Sequence, residues 1–171
     1  GAPENATSYR YLSKYYYDKK DEANMMKYIN AGMALYPNDD YMPLLELDQI
    51  REKGDTKALF AKYDEILAKN PDNFNIVIDY ATELFAETHV TDASKRPADY
   101  EQRCLKIEAL YKKAIELKPD SYEAKLSLGK HYYNQMLIMD EEVAKIKGTK
   151  PEDVKKKADM NAQIALIADK A

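Results

Sequence analysis

Three prolines mark joints between predicted helices and limit the folds that this chain can adopt. Pro37, Pro71 and Pro119 each follow a segment with helical spacing of apolar residues, and each is followed directly by Asn or Asp. Proline ends a helix because it lacks an N–H group and its ring clashes with the preceding turn. A nearby Asn, Asp or Ser can accept hydrogen bonds from the first N–H groups of the next helix. The first two prolines are 34 residues apart and the last two are 48 apart, which indicates a repeat with an insertion of 14 residues.

The apolar spacing between these joints predicts an all-α fold of eight helices in four antiparallel pairs. One pair cannot bury its apolar face alone, so we expect the pairs to stack into a single domain. The predicted helices are 7–18, 21–36, 40–53, 56–69, 73–87, 98–118, 122–147 and 151–170. The corresponding units are 6–39, 40–73, 74–121 with an insertion at 88–100, and an extended fourth unit at 122–171. The last helix is either the second helix of the fourth pair or a cap.

One joint carries a recognisable motif. The segment 107–122, IEALYKKAIELKPDSY, is followed by a helix with Leu128, Gly129 and Tyr132 in the spacing L-G-x-x-Y. This combination resembles the tetratricopeptide repeat, whose period is about 34 residues and whose signature includes L-G-x₂-Y, A-x₃-F and a late proline. The resemblance implies a right-handed α-solenoid of helix hairpins and a non-catalytic scaffold that binds a protein or peptide.

The resemblance varies along the chain. It is close at the joint before the fourth unit and good in the first unit, although Met25 stands where the repeat has alanine. It is weakest in the second unit, where Pro43 and Glu46 occupy two signature positions. Tyrosines at signature positions are predicted to lie in the core, and these are Tyr9, Tyr16, Tyr63, Tyr80, Tyr111 and Tyr132.

The resemblance also implies a set of ligand-binding positions. In the resembled family, the first helix of each pair lines an inner groove. Rigid aromatic and cationic side chains there would suit an extended or helical peptide with some acidic character. Transferred position by position, the expected groove residues are Arg10, Lys14, Tyr17, Tyr41, Leu44, Asp48, Arg51, Asn75, Ile78, Thr82, Phe85, Leu126, Lys130, Tyr133 and Asn134.

Catalytic and metal-binding motifs are not evident in the sequence. His89 and His131 are the only histidines and Cys104 is the only cysteine, and their spacing matches no common zinc motif. We therefore predict no catalytic residue, metal or cofactor, and a structural or solvent-exposed role for each histidine. Cys104 would be a nucleophile only if His131 or another base came close to it in space.

Composition excludes some partners and leaves other questions open. The net charge of −4 gives no electrostatic attraction to nucleic acid. The longest apolar runs are far shorter than a membrane span needs, so we predict no membrane insertion. The chain starts with Gly1, which suggests a piece of a longer protein, and its compartment and oligomeric state stay open. Two alternatives to a peptide-binding scaffold are an assembly segment of a larger protein and a small-molecule site at the insertion.

Overall fold

The computed structural model describes residues 5–170, and within this range the secondary structure is entirely helical. The all-α prediction is therefore confirmed for these residues, and each helix begins and ends within two residues of its predicted bounds. One 3₁₀ turn, Ala93–Lys95, lies in the predicted insertion. The α-helices are α1 (Ala6–Asp18), α2 (Glu22–Leu35), α3 (Tyr41–Glu52), α4 (Thr56–Lys69), α5 (Phe74–Thr88), α6 (Tyr100–Leu117), α7 (Tyr122–Lys145) and α8 (Pro151–Ala168).

The helices belong to two compact units, and the boundary between them falls inside α5, between Tyr80 and Ala81. In the first unit α1 packs against α2, both contact α3, and α3 packs against α4. In the second unit α7 contacts both α6 and α8. Neighbouring helices in sequence therefore pack together within each unit. The prediction of four repeats in a single stacked domain stays a prediction.

Gly32 explains how three helices of the first unit come close together. A Cβ atom at this position would lie 2.9 Å from Tyr9 Cβ on α1 and would also meet the Met42 side chain on α3. The buried core around this point contains Tyr9, Met42, Met25, Ile29 and Leu45. Because glycine has no side chain, the helix axes can approach closely and these larger residues can fill the space on either side.

The tyrosines predicted for the core are found there. Tyr9, Tyr63, Tyr80, Tyr111 and Tyr132 are buried, and Tyr16 is half-buried against the first core. The rings of Tyr63 and Tyr80 are stacked, with their centroids 4.6 Å apart. The predicted spacing of large residues therefore describes the packing of both units.

The helices after the three prolines are capped by the polar residue two positions beyond each proline, not by the Asn or Asp directly after it. Asp39 Oδ1 accepts hydrogen bonds from the N–H groups of Tyr41 and Met42, each at 3.0 Å. Asn73 and Ser121 cap α5 and α7 in the same manner.

In the sequence, Thr149 and Glu152 have the spacing of a capping box around Pro151, and this spacing predicts a side-chain cap for the last helix. That prediction is wrong. The N-cap of α8 is Lys150, which makes no side-chain capping bond, and Pro151 occupies the first helical turn. Proline needs no hydrogen-bond acceptor for its nitrogen, so this helix can begin without a side-chain cap.

Across residues 5–170, we find no helix with both the length and the apolar character needed to cross a bilayer.

Candidate functional site

The groove residues predicted for the first unit share one face of α1 and α3. Lys14 on α1 lies within electrostatic range of Tyr41 and Asp48 on α3. Its ammonium group also lies 5.2 Å from the centre of the Tyr17 ring. Because α1 and α3 are neighbours, the structure brings these predicted residues together.

The cations of this face already contact carboxylates of the same unit. Arg10 Nε donates to the buried carboxylate of Asp39 at 2.6 Å. Lys14 contacts Asp18. Arg51 contacts Asp48, and its Nη2 lies 3.4 Å from Asp79 Oδ2. The charged side chains of this face are therefore paired with one another. This pairing does not favour binding of the acidic peptide that the resemblance implies.

Other polar contacts extend this pattern. The Tyr17 hydroxyl donates to Glu52, and this hydrogen bond raises the pKa of Tyr17 to about 12. Lys20 Nζ contacts the other oxygen of the same carboxylate at 2.7 Å. Asn75 Nδ2 donates to Asp40 Oδ2 at 2.9 Å. Predicted groove residues in this unit thus take part in surface networks.

The groove residues predicted for the second unit fall into two groups. Thr82 hydrogen-bonds the Tyr111 hydroxyl, and Phe85 packs against histidine rings near the end of α5. Lys130 and Tyr133 are exposed on α7, and Asn134 Nδ2 donates to the Lys130 carbonyl at 2.8 Å. Two of the predicted residues, Leu126 and Tyr133, belong to a longer exposed surface of α7.

That surface is an apolar stripe, which we call the α7 stripe: Tyr122, Leu126, Tyr133 and Leu137. Their exposed fractions are 75%, 41%, 57% and 43%, respectively. At about 100° per residue, the four side chains fall within about 60° of the helix circumference. The buried residues Ala124, His131 and Ile138 lie on the opposite side of α7, and buried Tyr132 lies about 80° beyond the Tyr122 edge of the stripe. The helix therefore has an apolar face in the core and a second, narrower one in solvent.

Two exposed lysines flank the α7 stripe. Lys130 lies about 20° beyond one edge of the stripe and Lys125 about 60° beyond the other, by the same helical spacing. Both side chains are exposed. The apolar contact area of the stripe therefore has one lysine on each side, while exposed Glu123 lies about 20° beyond Lys130 and exposed Asp140 follows Leu137 near the same line.

A second feature of this unit is a cluster of half-buried His89 with buried Cys104 and His131. One ring nitrogen of each histidine and the Cys104 sulfur all lie within 4.8 Å of one another. His89 Nε2 and His131 Nδ1 are 2.9 Å apart, which is a hydrogen-bond distance. His89 directly follows α5, whereas the other two residues lie on α6 and α7. Three separate chain segments therefore bring the only histidines and the only cysteine together.

Two further side chains contact this cluster. The Tyr100 hydroxyl lies 3.3 Å from His89 Nδ1, and Gln135 Nε2 lies 3.1 Å from His131 Nε2. Both also hydrogen-bond the Cys104 side chain. Every polar side chain of the cluster thus has a partner, as buried polar groups require.

Burial sets the protonation states in this cluster. Desolvation lowers the pKa of His89 and of His131 to about 4, so both imidazoles are neutral at pH 7. Desolvation also raises the pKa of the Cys104 thiol. The base that a cysteine nucleophile needs is now nearby, but the thiol is buried and stays protonated. The arrangement therefore does not favour nucleophilic catalysis.

The spacing of these three residues along the sequence did not predict the cluster. Its members are separated by 15 and 27 residues, and the short motifs of common zinc sites describe ligands on adjacent turns or loops. The only signal in the sequence was positional. His131 directly precedes a predicted core tyrosine, Tyr132, and His89 lies near the start of the predicted insertion. Only the packing of α5, α6 and α7 shows that the two positions meet.

Comparisons of this sequence with known proteins identify no related protein. A scan against protein-family models gives no match, and the curated proteins include no significant match to this chain.

Proposed function

We propose that this protein is a non-catalytic scaffold of tetratricopeptide-like hairpins that binds an amphipathic peptide of another protein along the α7 stripe. The hairpin assignment rests on the repeated proline joints, the helix lengths and the close approach at Gly32. The right-handed stacking that the resemblance implies stays a prediction.

The observation that carries the binding proposal is the exposure of four large apolar side chains on one line of α7. Single exposed apolar residues are common on protein surfaces, but aligned ones form a patch that water solvates poorly. Covering such a patch with apolar groups of a partner is favourable by about 25 cal/mol per Å². Two of the four are tyrosines, which supply large contact area with little loss of side-chain freedom.

The dimensions and charge of the stripe indicate the type of partner. From Tyr122 to Leu137 the helix rises about 22 Å, which is the length of a helical peptide of about 15 residues. Apolar side chains at spacings of three and four would lie along the stripe. Carboxylates on either side of that apolar face would meet Lys125 and Lys130. We therefore favour a peptide with an apolar face and acidic flanks.

The first unit is a weaker candidate for the same role. Its cations contact its own carboxylates, as Arg10 and Arg51 do. An acidic peptide binding there would have to replace these contacts. Moving Arg10 away would leave the buried Asp39 carboxylate without its cation, and exchanging the more exposed pairs gains little because each contributes only about 0–1 kcal/mol.

A peptide-display selection tests the proposal. The full chain is immobilised, and random 15-residue peptides are selected against it. Enriched peptides are then synthesised and labelled, and their dissociation constants are measured by fluorescence anisotropy. We expect enriched sequences to share apolar residues at helical spacing with acidic neighbours.

Two variants with matched chemistry locate the binding surface. Leu126→Ser/Leu137→Ser removes two leucines of the stripe, whereas Leu105→Ser/Leu166→Ser removes two exposed leucines from α6 and α8. We expect the first variant to weaken peptide binding at least tenfold and the second to bind as the wild type does. Equal loss in both variants, or the absence of any enriched sequence, would refute the proposal.

The alternative function, assembly, predicts a different result. If a second copy of this chain covered the stripe, the wild type would self-associate in sedimentation velocity and the Leu126→Ser/Leu137→Ser variant would not. That result would assign the stripe to oligomerisation and would overturn the peptide-binding proposal.

A further inference from the structure

We propose that His89, Cys104 and His131 form a binding site for one zinc-class transition-metal ion. One nitrogen from each imidazole and the cysteine sulfur converge within 4.8 Å. Imidazole nitrogen and thiolate sulfur are the donors that Zn²⁺ prefers. The proposal concerns the interior of the second unit and is independent of peptide binding by the α7 stripe.

The distances are close to those of a bound ion. Zinc bonds of about 2.0 Å to nitrogen and about 2.3 Å to sulfur place neighbouring ligand atoms of a tetrahedral site about 3.3–3.6 Å apart. His89 Nε2 and His131 Nδ1, now 2.9 Å apart, would have to separate by about 0.4 Å, and the sulfur would move inward. The distance from the sulfur to each nitrogen, at most 4.8 Å now, would have to become about 3.6 Å.

Surrounding side chains can orient the ligands. If His89 Nε2 and His131 Nδ1 bind the ion, the opposite ring nitrogens carry the protons. The Tyr100 oxygen, 3.3 Å from His89 Nδ1, can accept one of them. Gln135 faces His131 Nε2 at 3.1 Å, and a half-turn of its amide presents an oxygen that can accept the other. Metal-bound histidines in proteins commonly donate their second N–H in this way.

Metal binding here has a defined proton balance. The Cys104 thiol loses its proton to solvent as the zinc–sulfur bond forms, and the two imidazoles bind as neutral ligands. Three protein ligands leave one tetrahedral position for water. The ion and one thiolate together carry a single positive charge, and Glu108, which lies within electrostatic range of His131, partly offsets it.

A competing interpretation treats the cluster as a hydrogen-bonded part of the core. In that case the two imidazoles satisfy each other and the thiol acts as a small apolar side chain. The two interpretations differ in a property that can be measured, because only the first predicts formation of a metal–sulfur bond.

Cobalt provides the first test, since Co²⁺ replaces Zn²⁺ in such sites and absorbs visible light. The full chain, without a histidine tag and treated with chelator, is titrated with CoCl₂. We expect one Co²⁺ per chain, a sulfur-to-cobalt charge-transfer band, and loss of that band on addition of Zn²⁺. The chain has a single cysteine, so the band can arise only from Cys104. Absence of the band at saturating Co²⁺ would overturn the proposal.

Variants and a direct structural measurement complete the test. Cys104→Ser should abolish the band, and Tyr100→Phe should weaken Co²⁺ binding by about tenfold through loss of ligand orientation. Because these side chains are buried, circular dichroism must show that each variant is folded. X-ray absorption by the zinc-loaded wild type needs no variant. We expect one sulfur at about 2.3 Å and two imidazole nitrogens at about 2.0 Å. A shell of oxygen atoms without sulfur would refute the assignment.

Discussion

The two units of this protein use the exposed sides of their helices differently. On the first unit, cations of α1 and α3 contact carboxylates of the same unit, and Tyr17 donates to Glu52. On the second unit, α7 exposes Tyr122, Leu126, Tyr133 and Leu137 in one line. The α1 and α3 face pairs its own charged groups, whereas the α7 stripe aligns four large apolar side chains in water; the first unit also exposes Tyr11 and Tyr15 on α1.

This difference shows why similar hairpins need not have similar functions. Helix pairing is determined by the buried sides, which in both units carry tyrosines and small residues. Function depends on the solvent-exposed sides of the helices, where helix packing places few constraints on which residue occupies a position. A single helix, α7, contributes Tyr132 to the core and the neighbouring Tyr133 to the solvent.

The strongest test of the comparison replaces the small residue that the first unit requires. We expect Gly32→Ala to lower the free energy of unfolding by about 1–3 kcal/mol, because the added Cβ would crowd Tyr9 and Met42. Urea denaturation measures this change. On the same helix, the exposed substitution Ala31→Leu is the control and should stay within about 0.5 kcal/mol of the wild type. Equal effects of the two changes would show that the close approach at Gly32 is not important.

A second test concerns the polar network of the first unit. The Tyr63 hydroxyl contacts Asp79 and lies 3.1 Å from Arg51 Nη2. Tyr63→Phe removes this hydroxyl and should lower the free energy of unfolding by about 1 kcal/mol. The exposed Tyr11→Phe, measured by the same thermal or urea unfolding, should cause no significant change. An unchanged stability in the Tyr63 variant would mean that the network does not stabilise this unit.

A third test asks whether the α7 stripe contributes to stability. Leu126 and Leu137 are exposed, so replacing both with serine should change the free energy of unfolding by no more than about 0.5 kcal/mol per site. A larger loss, measured by urea denaturation, would show that the stripe packs within its own unit. The contrast between the two surfaces would then fail.

The smallest expected effect is a pH dependence of the free energy of unfolding that arises from Glu65 in the first unit. Lys62 and Lys69 hydrogen-bond the Glu65 carboxylate and lower its pKa from 4.5 to about 2. A carboxylate with a lowered pKa stabilises the fold above pH 4.5, and this contribution disappears as the pH falls toward 2. The stability difference between wild type and Glu65→Gln should therefore shrink between pH 5 and pH 2. In a Lys69→Met background, this stability difference should decrease less over the same pH range. A difference that does not vary with pH would contradict this assignment.

Much of the fold follows from local features of the sequence. Pro37, Pro71 and Pro119 end helices, and the polar residues after them cap the next ones, so the helix bounds could be predicted closely. The burial of tyrosines follows from their helical spacing. The capping box at Thr149 failed because Pro151 can begin a helix without one.

The candidate sites were less predictable from the sequence. Three of the exposed α7 residues were expected from the resemblance, Leu126, Lys130 and Tyr133, but its positions omit Tyr122 and Leu137. Leu137 lies in the part of α7 that extends beyond a repeat helix, whereas Tyr122 is the first residue of α7 and precedes the transferred positions. The cluster of His89, Cys104 and His131 depends on how three helices pack, which spacing along the chain does not reveal.

The most direct test of the account is to map where a selected peptide binds. Amide chemical shifts of the labelled full chain are recorded by NMR while the unlabelled peptide is added. We predict that the largest changes lie on α7 between Tyr122 and Leu137, with little change on α1 and α3. Changes centred on Arg10, Lys14 and Tyr41 would place the partner on the first unit and contradict the account.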